Sequence, residues 1–286
     1  MGHENAVRTL AMRTGGIPAS DGAGVKLRRI IGSPELNMID PFLLFDNFSS
    51  DRADDYIAGF PEHPHRGFET VTYMLAGRSR HKDSTGHEGV IETGDVQWMT
   101  AGSGIVHSEM PEQEDGLLSG FQLWVNLPAA AKMTDPAYQE YKAADIPTEA
   151  FDGGSAKVIA GTTARGTAGP VENRWTDPIY LDVALEMGAT FSQPVPDTHN
   201  AFIYVIEGAV AVAGEILDTG ELGVLSPSGA VELAAPDKAC RVLAIAGRRL
   251  DEPVARGGPF VMNTKEEILQ AFKDFQDNKF VATGKF

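Results

Sequence analysis

The sequence predicts an all-β protein made of two β-barrel domains, with one α-helix at the C-terminal end. Short apolar or alternating runs, separated by Gly, Pro, Asn and Asp, occur throughout the 286 residues and indicate antiparallel strands. Glycines between the early runs suit the tight turns at which a sheet closes on itself. Because the chain exceeds the usual size of one domain, we expect two domains, at residues 1–150 and 151–286.

The first series of strand-like runs is followed by a change of pattern near the middle of the chain. The runs are residues 25–31, 42–48, 69–75, 96–99 and 121–127. Residues 132–152 are then acidic and rich in Tyr, and residues 161–173 are rich in Gly, Thr and Ala. We therefore place the connection between the two domains within this interval.

A second series of strands and one helix complete the chain. The runs are residues 179–185, 201–206, 210–213, 222–225, 231–233 and 240–246. Thr264, with Glu267 three residues later, predicts a helix that begins with a capping box. Ile268, Leu269, Phe272 and Phe275 follow helical spacing, so we expect this apolar stripe to pack on a barrel.

Composition narrows the class of protein. Lys and Arg total 24 against 40 Asp and Glu, and the resulting net charge of −16 repels nucleic acid, so direct nucleic-acid binding is not expected. The single cysteine, Cys240, cannot form an intramolecular disulfide, and its apolar surroundings predict a core position. The opening sequence MGHENAVRTL lacks an apolar signal region, and no stretch is long enough for a membrane span. A cytoplasmic location is the resulting expectation.

Two pairs of metal-ligating residue types share one spacing. His63 and His65 begin one strand-like run, and His107 and Glu109 end another. Residues two apart on a strand project from the same face, so each pair can converge on one point. Imidazole and carboxylate ligands suit a first-row metal such as iron, and four of them leave an octahedral ion two open positions, which favours chemistry over a structural role.

The identity of the carboxylate ligand stays open on spacing alone. Glu69 lies four residues after His65 and so faces the same way as that histidine. It could be a ligand in place of Glu109, or it could orient an imidazole N–H. Pro64 cannot donate a ladder hydrogen bond, so the segment that carries His63 and His65 is expected at a sheet edge.

The remaining histidines have simpler interpretations. His81 and His87 lie in the polar segment RHKDSTGHEG, where exposure to solvent is expected. His199 is the only histidine after residue 108, so the second barrel is not expected to bind metal through paired histidines. Several aromatic or Met residues near the ligand strands could line a pocket, although we expect most of them in the core: Phe60, Phe68, Met99, Phe121 and Trp124.

Four segments together resemble the pirin family of the cupin superfamily. GFPEHPHRGFETVTYMLAG at residues 59–77 is similar to the first cupin motif, and GDVQWMTAGSGIVHSEMP at 94–111 is similar to the second. QLWVNLP at 122–128 and PFVMNTKEEI at 259–268 extend the likeness into both halves. Thr100 stands where many cupins carry proline, and it matches the pirin version.

The resemblance implies a bicupin with metal in the N-terminal barrel only. It places the metal ligands on His63, His65, His107 and Glu109, and for this donor set iron(II) (Fe²⁺) is the preferred metal. Pirins are described as quercetin 2,3-dioxygenases in bacteria, which implies a flavonol-like substrate and O2. In such a reaction we expect Glu109 to act as the catalytic residue that accepts the hydroxyl proton while it remains near the metal. They are also described as nuclear transcription cofactors in animals, so the alternative is an iron-dependent, redox-sensing regulator that binds a protein partner.

Overall fold

A computed structural model describes residues 6–277 and residue 279 of the chain. Strands β1 to β14 span Leu10–Thr14, Ile17–Asp21, Val25–Ile31, Phe42–Ser50, Phe60–His65, Phe68–Ala76, Arg78–Asp83, Glu88–Glu92, Val96–Thr100, Ile105–Pro111, Leu118–Asn126, Ala137–Tyr141, Thr148–Phe151 and Gly154–Ala160. Strands β15 to β24 span Ile179–Leu185, Thr190–Gln193, His199–Glu207, Ala209–Val212, Glu215–Asp218, Leu222–Leu225, Val231–Ala234, Cys240–Arg248, Ala255–Gly257 and Phe260–Met262. Helix α1 spans Lys265–Gln276. The predicted all-β class with a C-terminal helix is confirmed.

The chain forms two compact units, each assembled from three separate segments. The N-terminal unit contains Ile17–Ser33, Phe42–Ala143 and the segment that begins at Leu250. The C-terminal unit contains the segment that ends at Gly16, Pro34–Pro41 and Ala144–Arg249. The expected domains at 1–150 and 151–286 are continuous halves. In the structure the segment that ends at Gly16 belongs to the C-terminal unit, and the segment that begins at Leu250 belongs to the N-terminal unit.

The N-terminal unit is built from two antiparallel sheets. Its seven-stranded sheet has the order β12-β9-β6-β11-β4-β3-β2, and its four-stranded sheet has the order β5-β10-β7-β8. Large side chains such as Phe42, Tyr73 and Trp98 are almost fully buried, and the rings of Phe45 and Phe121 stack with centroids 5.2 Å apart. β5, which contains Pro64, is an edge strand, as the proline predicted.

The C-terminal unit repeats this plan. A seven-stranded sheet of order β1-β20-β17-β22-β15-β14-β13 accompanies a four-stranded sheet of order β16-β21-β18-β19. Leu181, Ile203 and Val242 of the larger sheet share one core with Val210 and Leu233 of the smaller sheet. Cys240 is buried in that core, as predicted.

Helix α1 packs within the N-terminal unit. Thr264 caps it, and the reciprocal bonds of a capping box with Glu267 are both present, as predicted. Ile268 and Ala271 are buried with Val106 and Phe260, whereas Leu269 is 69% exposed, so the expectation that Leu269 belongs to the packed stripe is wrong. Among the residues that the structure describes, no helix is both long and apolar enough to cross a membrane.

Candidate metal centre

Strands β5 and β10 bring the predicted histidines together. In the antiparallel pairing of these strands His63 lies opposite His107, and His65 lies opposite Ile105. The register then shifts, so that Glu109 lies opposite Phe60 and β5 carries an extra residue. Such a bulge re-aims side chains near a site, and here it falls between His107 and Glu109 of β10.

The three histidines form one compact cluster. One ring nitrogen from each of His63, His65 and His107 lies within 4.8 Å of the other two. The ring centroids are 4.4 to 5.0 Å apart. His65 and His107 are buried, and His63 is half-buried. Three imidazoles this close can share one transition-metal ion.

The hydrogen bonding of these rings fits a metal ion as the common partner. Nδ1 of His63 lies 2.8 Å from the carbonyl oxygen of Pro61 and must donate to it, which leaves Nε2 with a free lone pair. Nδ1 of His65 and both nitrogens of His107 are buried and make no hydrogen bond with any residue that the structure describes. Buried polar groups without partners are rare in folded proteins, so bound metal is the natural explanation.

Burial also sets the protonation state of the cluster. Desolvation lowers the pKa of His65 and of His107 well below the ordinary histidine value, and the neighbouring imidazoles lower both values further. Both rings are therefore neutral near pH 7, and a neutral imidazole is the form that ligates a metal.

Glu109 lies beside the cluster but outside the 4.8 Å group. Burial raises the pKa of its carboxyl group, while the nearby His63 opposes that shift. Oε1 of Glu109 lies 3.3 Å from the hydroxyl of Thr72, and that hydroxyl also lies 2.7 Å from Oε1 of Gln122. Glu109 is thus a carboxylate beside the polar side chains of Thr72 and Gln122, where it can take up a proton.

Glu69 has a different environment from Glu109. It is 1% exposed on β6, opposite Thr100 of β9, and the Thr100 hydroxyl donates a 2.8 Å hydrogen bond to its Oε1. A proline at position 100 would lack this hydroxyl. Since the nitrogens of His107 make no hydrogen bond with any described residue, the expectation that Glu69 orients an imidazole does not hold for His107.

A cavity of about 760 Å³ opens beside the cluster within the N-terminal unit. His63, His65 and Glu109 line it, whereas Glu69 does not. Of the five candidate pocket residues, Phe60 and Trp124 line the cavity, while Phe68, Met99 and Phe121 are core residues. The prediction that most of them belong to the core is confirmed.

The cavity also has a polar side that the sequence did not indicate. Arg29 pairs with Asp46 through two hydrogen bonds of 3.0 and 2.7 Å, and it donates another of 2.7 Å to Asp21. Consecutive cross-strand partners form a polar row along this side: Arg29, Asp46, Gln122 and Thr72. From the sequence Arg29 would be placed on the solvent-exposed face of its strand. Its position at the cavity is explained by its hydrogen bonds to Asp46, its cross-strand partner, and to Asp21.

His81 and His199 are both buried. His81 is 1% exposed, so the expected exposure of this residue is wrong. The polar composition of residues 80–89 indicates a loop, whereas His81 lies within β7 and pairs with Gly89 of β8. In the C-terminal unit both ring nitrogens of His199 have hydrogen-bonding neighbours, namely the carbonyl of Asp177 at 2.8 Å and the hydroxyl of Thr198 at 3.1 Å.

Comparisons with known proteins agree with this architecture. The sequence profile described as Pirin matches residues 24–125, and the profile described as Pirin C-terminal cupin domain matches residues 180–281. A pirin-like protein of Caulobacter vibrioides is 55% identical over 275 residues, which are 96% of this chain and 99% of that protein. Pirin of Homo sapiens is 47% identical over 266 residues, which are 91% of this chain and 89% of that protein.

A solved structure extends the comparison to the whole fold. The crystal structure of a quercetin 2,3-dioxygenase from Acinetobacter baumannii matches with a TM-score of 0.87 and 37% identity. The match covers 96% of this chain and 99% of that one. With two cupin domains and relatives that align over nearly their full length, the chain belongs to the pirin family.

Proposed function

We propose that this protein is a metal-dependent dioxygenase that cleaves flavonols such as quercetin. The observation that carries the proposal is the cavity of about 760 Å³, beside which lie three clustered imidazoles, a half-buried carboxylate and aromatic side chains. Its volume lies within the range of about 300–1,000 Å³ that is typical of small-molecule sites. The similarity to a quercetin 2,3-dioxygenase over nearly the whole chain supports this substrate class.

We assign the metal to His63, His65, His107 and Glu109, with iron(II) as the preferred ion. The unpartnered nitrogens of His65 and His107 support the three imidazole ligands. The position of Glu109 on the cavity wall, two residues after His107, supports it over Glu69. When bound, such an ion would supply the Lewis acidity and the electron exchange that the reaction of a flavonol with O2 requires.

Glu109 has the properties of the proton acceptor. Removing the 3-hydroxyl proton of a flavonol creates the electron-rich enolate that reacts with O2, and a carboxylate Oε of Glu109 is the acceptor on the cavity wall. Its raised pKa makes it a stronger base than an exposed glutamate and lets it hold the proton during the reaction. If Glu109 becomes protonated, Oε1 can in turn donate to the Thr72 hydroxyl, 3.3 Å away.

The other cavity residues bind and orient a flat, hydroxylated substrate. Phe60 and Trp124 offer apolar ring surfaces, and the ring of Trp124 lies 5.2 Å from the ring of His65. Arg29 and Asp46 offer donors and acceptors for hydroxyl groups on the polar side of the cavity. This division between one apolar and one polar side matches the chemistry of a polyphenol.

The test is quercetin turnover by protein loaded with iron(II) under anaerobic conditions and then exposed to O2. We expect quercetin loss and carbon monoxide release well above free iron(II), and we expect His63→Ala to abolish both. Glu114→Gln changes an exposed glutamate of the same unit that does not line the cavity, and it serves as the matched control that should retain activity. Turnover no faster than that of free iron would refute the enzymatic proposal.

The same experiment separates the regulatory alternative. Protein that binds one iron ion through the histidine cluster but does not consume quercetin would favour a redox-sensing role with a protein partner. A pull-down with oxidised and reduced protein would then measure whether partner binding follows the iron oxidation state. That role, and the cytoplasmic location, stay predictions from the sequence.

A further inference from the structure

A second group of metal-ligating side chains lies in the N-terminal unit, and it shares no residue with the first. It consists of His81 on β7, His87 just before β8, and Glu140 on β12. One ligand atom from each lies within 4.8 Å of the other two. Two imidazoles and one carboxylate are a donor set that divalent transition metals, zinc in particular, bind in proteins.

The distances within this group suit an ion held among the three side chains. Nε2 of His81 lies 2.8 Å from Oε1 of Glu140, and Nε2 of His87 lies 3.2 Å from Oε2 of the same carboxylate. For bonds of about 2.1 Å, neighbouring ligand atoms around a four- or six-coordinate ion lie about 3.0–3.4 Å apart. The side chains therefore need only small shifts to enclose a metal ion.

The histidine nitrogens of this group lie close to the carboxylate without forming well-aligned hydrogen bonds. Despite the short distances, Nε2 of His81 and Nε2 of His87 make no hydrogen bond of acceptable geometry with any described residue. Nδ1 of His81 and the hydroxyl of Tyr138 are also buried without a partner among the described residues. An ion with a bound water molecule would satisfy several of these groups at once.

The local structure holds the three ligands in place. Oδ1 of Asp83 accepts hydrogen bonds from the backbone N–H groups of Thr85 at 2.8 Å and His87 at 2.9 Å, which fixes the turn before β8. Gly89 leaves room for the His81 ring, because a Cβ at that position would lie 2.7 Å from Nε2. Nε2 of Gln97 donates a 2.6 Å hydrogen bond to Oε1 of Glu140.

We propose that His81, His87 and Glu140 form a second metal site, for a divalent transition-metal ion of the zinc class. His81 is 1% exposed while the side chain of Glu140 is 35% exposed, so the site combines a buried anchor with a route for the ion from solvent. The ion links β7 and β8 of the four-stranded sheet to β12 of the seven-stranded sheet. Its first effect is therefore to stabilise the N-terminal unit.

The experiment measures binding of Zn²⁺ to metal-free full-length protein by titration calorimetry, with Co²⁺ as a spectroscopic probe. We expect two equivalents of Zn²⁺ for the unaltered protein. His87→Ala and Glu140→Gln should each lose one equivalent, or bind it at least tenfold more weakly. The double variant His63→Ala/His65→Ala should keep the other equivalent and should still give the d–d absorption bands of protein-bound Co²⁺. Glu88→Gln, an exposed change beside the site, is the control that should keep both equivalents.

Gly89→Ala reaches the same site without changing a ligand. Its methyl group would displace the His81 ring, so we expect loss of the second equivalent with the first retained. Circular dichroism and thermal unfolding check that each variant is folded. A single equivalent that disappears in the His63→Ala/His65→Ala variant would overturn the proposal, as would two equivalents that persist in both His87→Ala and Glu140→Gln.

Discussion

Gly67 offers a sharp test of how the chain holds His65 in position. It lies two residues after His65, with a φ of +87°, a conformation that side chains with a Cβ rarely adopt. A Cβ at this position would lie 2.0 Å from the carbonyl oxygen of Val261 and 2.9 Å from Sδ of Met262. Nζ of the buried Lys132 donates to the carbonyls of both Gly67 and Val261, at 2.8 and 3.0 Å, which keeps the two segments close. The close approach therefore depends on the absence of a side chain.

The expected effect of Gly67→Ala is the sum of two penalties. The left-handed backbone conformation costs a residue with a Cβ about 1–2 kcal/mol. The clash with a backbone carbonyl, which cannot rotate away, adds about 1–3 kcal/mol as overpacking usually does. We therefore expect Gly67→Ala to lower the free energy of unfolding of the N-terminal unit by about 2–5 kcal/mol.

Gly86→Ala is the matched control for this change. Gly86 has nearly the same φ, +92°, but a Cβ there would meet nothing within 4 Å. This variant should show only the backbone penalty of about 1–2 kcal/mol. Any further loss in Gly67→Ala then measures the clash itself.

Urea unfolding followed by tryptophan fluorescence measures the difference. A Trp175→Phe background leaves Trp98 and Trp124 as the fluorescent residues, and both belong to the N-terminal unit. Iron(II) stoichiometry of the folded variants shows whether His65 has moved. Equal unfolding free energies for the Gly67→Ala and Gly86→Ala variants would refute the argument that close backbone packing positions His65.

Three further predictions follow from the site and the helix. In metal-free protein, burial lowers the pKa values of His65 and His107, so below pH 6.5 these histidines take up protons in the unfolded chain before they do so in the folded one. The free energy of unfolding of the N-terminal unit should therefore fall by about 1.4 kcal/mol per pH unit for each histidine. Urea midpoints that do not change from pH 7.5 to 5.5 would contradict this. Glu109→Gln should lower quercetin turnover at saturating iron by about 100-fold or more, whereas Glu69→Gln should keep most of it; the reverse order in steady-state kinetics would make Glu69 the functional carboxylate. Thr264→Ala should lower the free energy of unfolding by about 1 kcal/mol, because it removes the helix cap. Urea unfolding measures the loss against the exposed control Lys265→Ala. Equal stability of the two variants would show that the cap contributes nothing.

The strands were largely predictable because alternation of apolar residues is a local signal. The predicted runs 25–31, 179–185 and 222–225 have the same bounds as β3, β15 and β20. The start of β11 was missed, because Leu118, Ser119 and Gly120 resemble a turn although their backbone pairs with β4. Pairing with a distant strand decides such positions, and it leaves no trace in the local pattern.

Nothing in the local sequence pattern predicted that the segment ending at Gly16 belongs to the C-terminal unit, or that the segment beginning at Leu250 belongs to the N-terminal unit. β1 pairs with β20, and within the N-terminal unit α1 packs on Val106 of β10 and Asp274 pairs with Arg66 at 2.7 Å. Both placements depend on contacts between residues far apart in sequence. A change in composition can locate the connection between two units, but it does not show in which unit the first and last segments pack.

Only some residues of the candidate site could be predicted from the sequence. The two-residue spacing was enough to predict that His63 and His65 share one strand face, because strand geometry fixes which side chains project together. The resemblance to the cupin motifs then placed His107 at the same site. The partners of Arg29, and the meeting of His81 with His87 and Glu140, could not be predicted because three or more strands create them. The location of Glu109 on the cavity wall likewise needed the three-dimensional structure.

The most direct test of the metal centre is a crystal structure of the iron(II)-loaded protein, with anomalous diffraction measured on both sides of the iron edge. We predict one iron peak bounded by His63, His65, His107 and a carboxylate oxygen of Glu109, at the wall of the cavity of about 760 Å³. A peak coordinated by Glu69 instead, or iron bound away from the three histidines, would contradict the assignment.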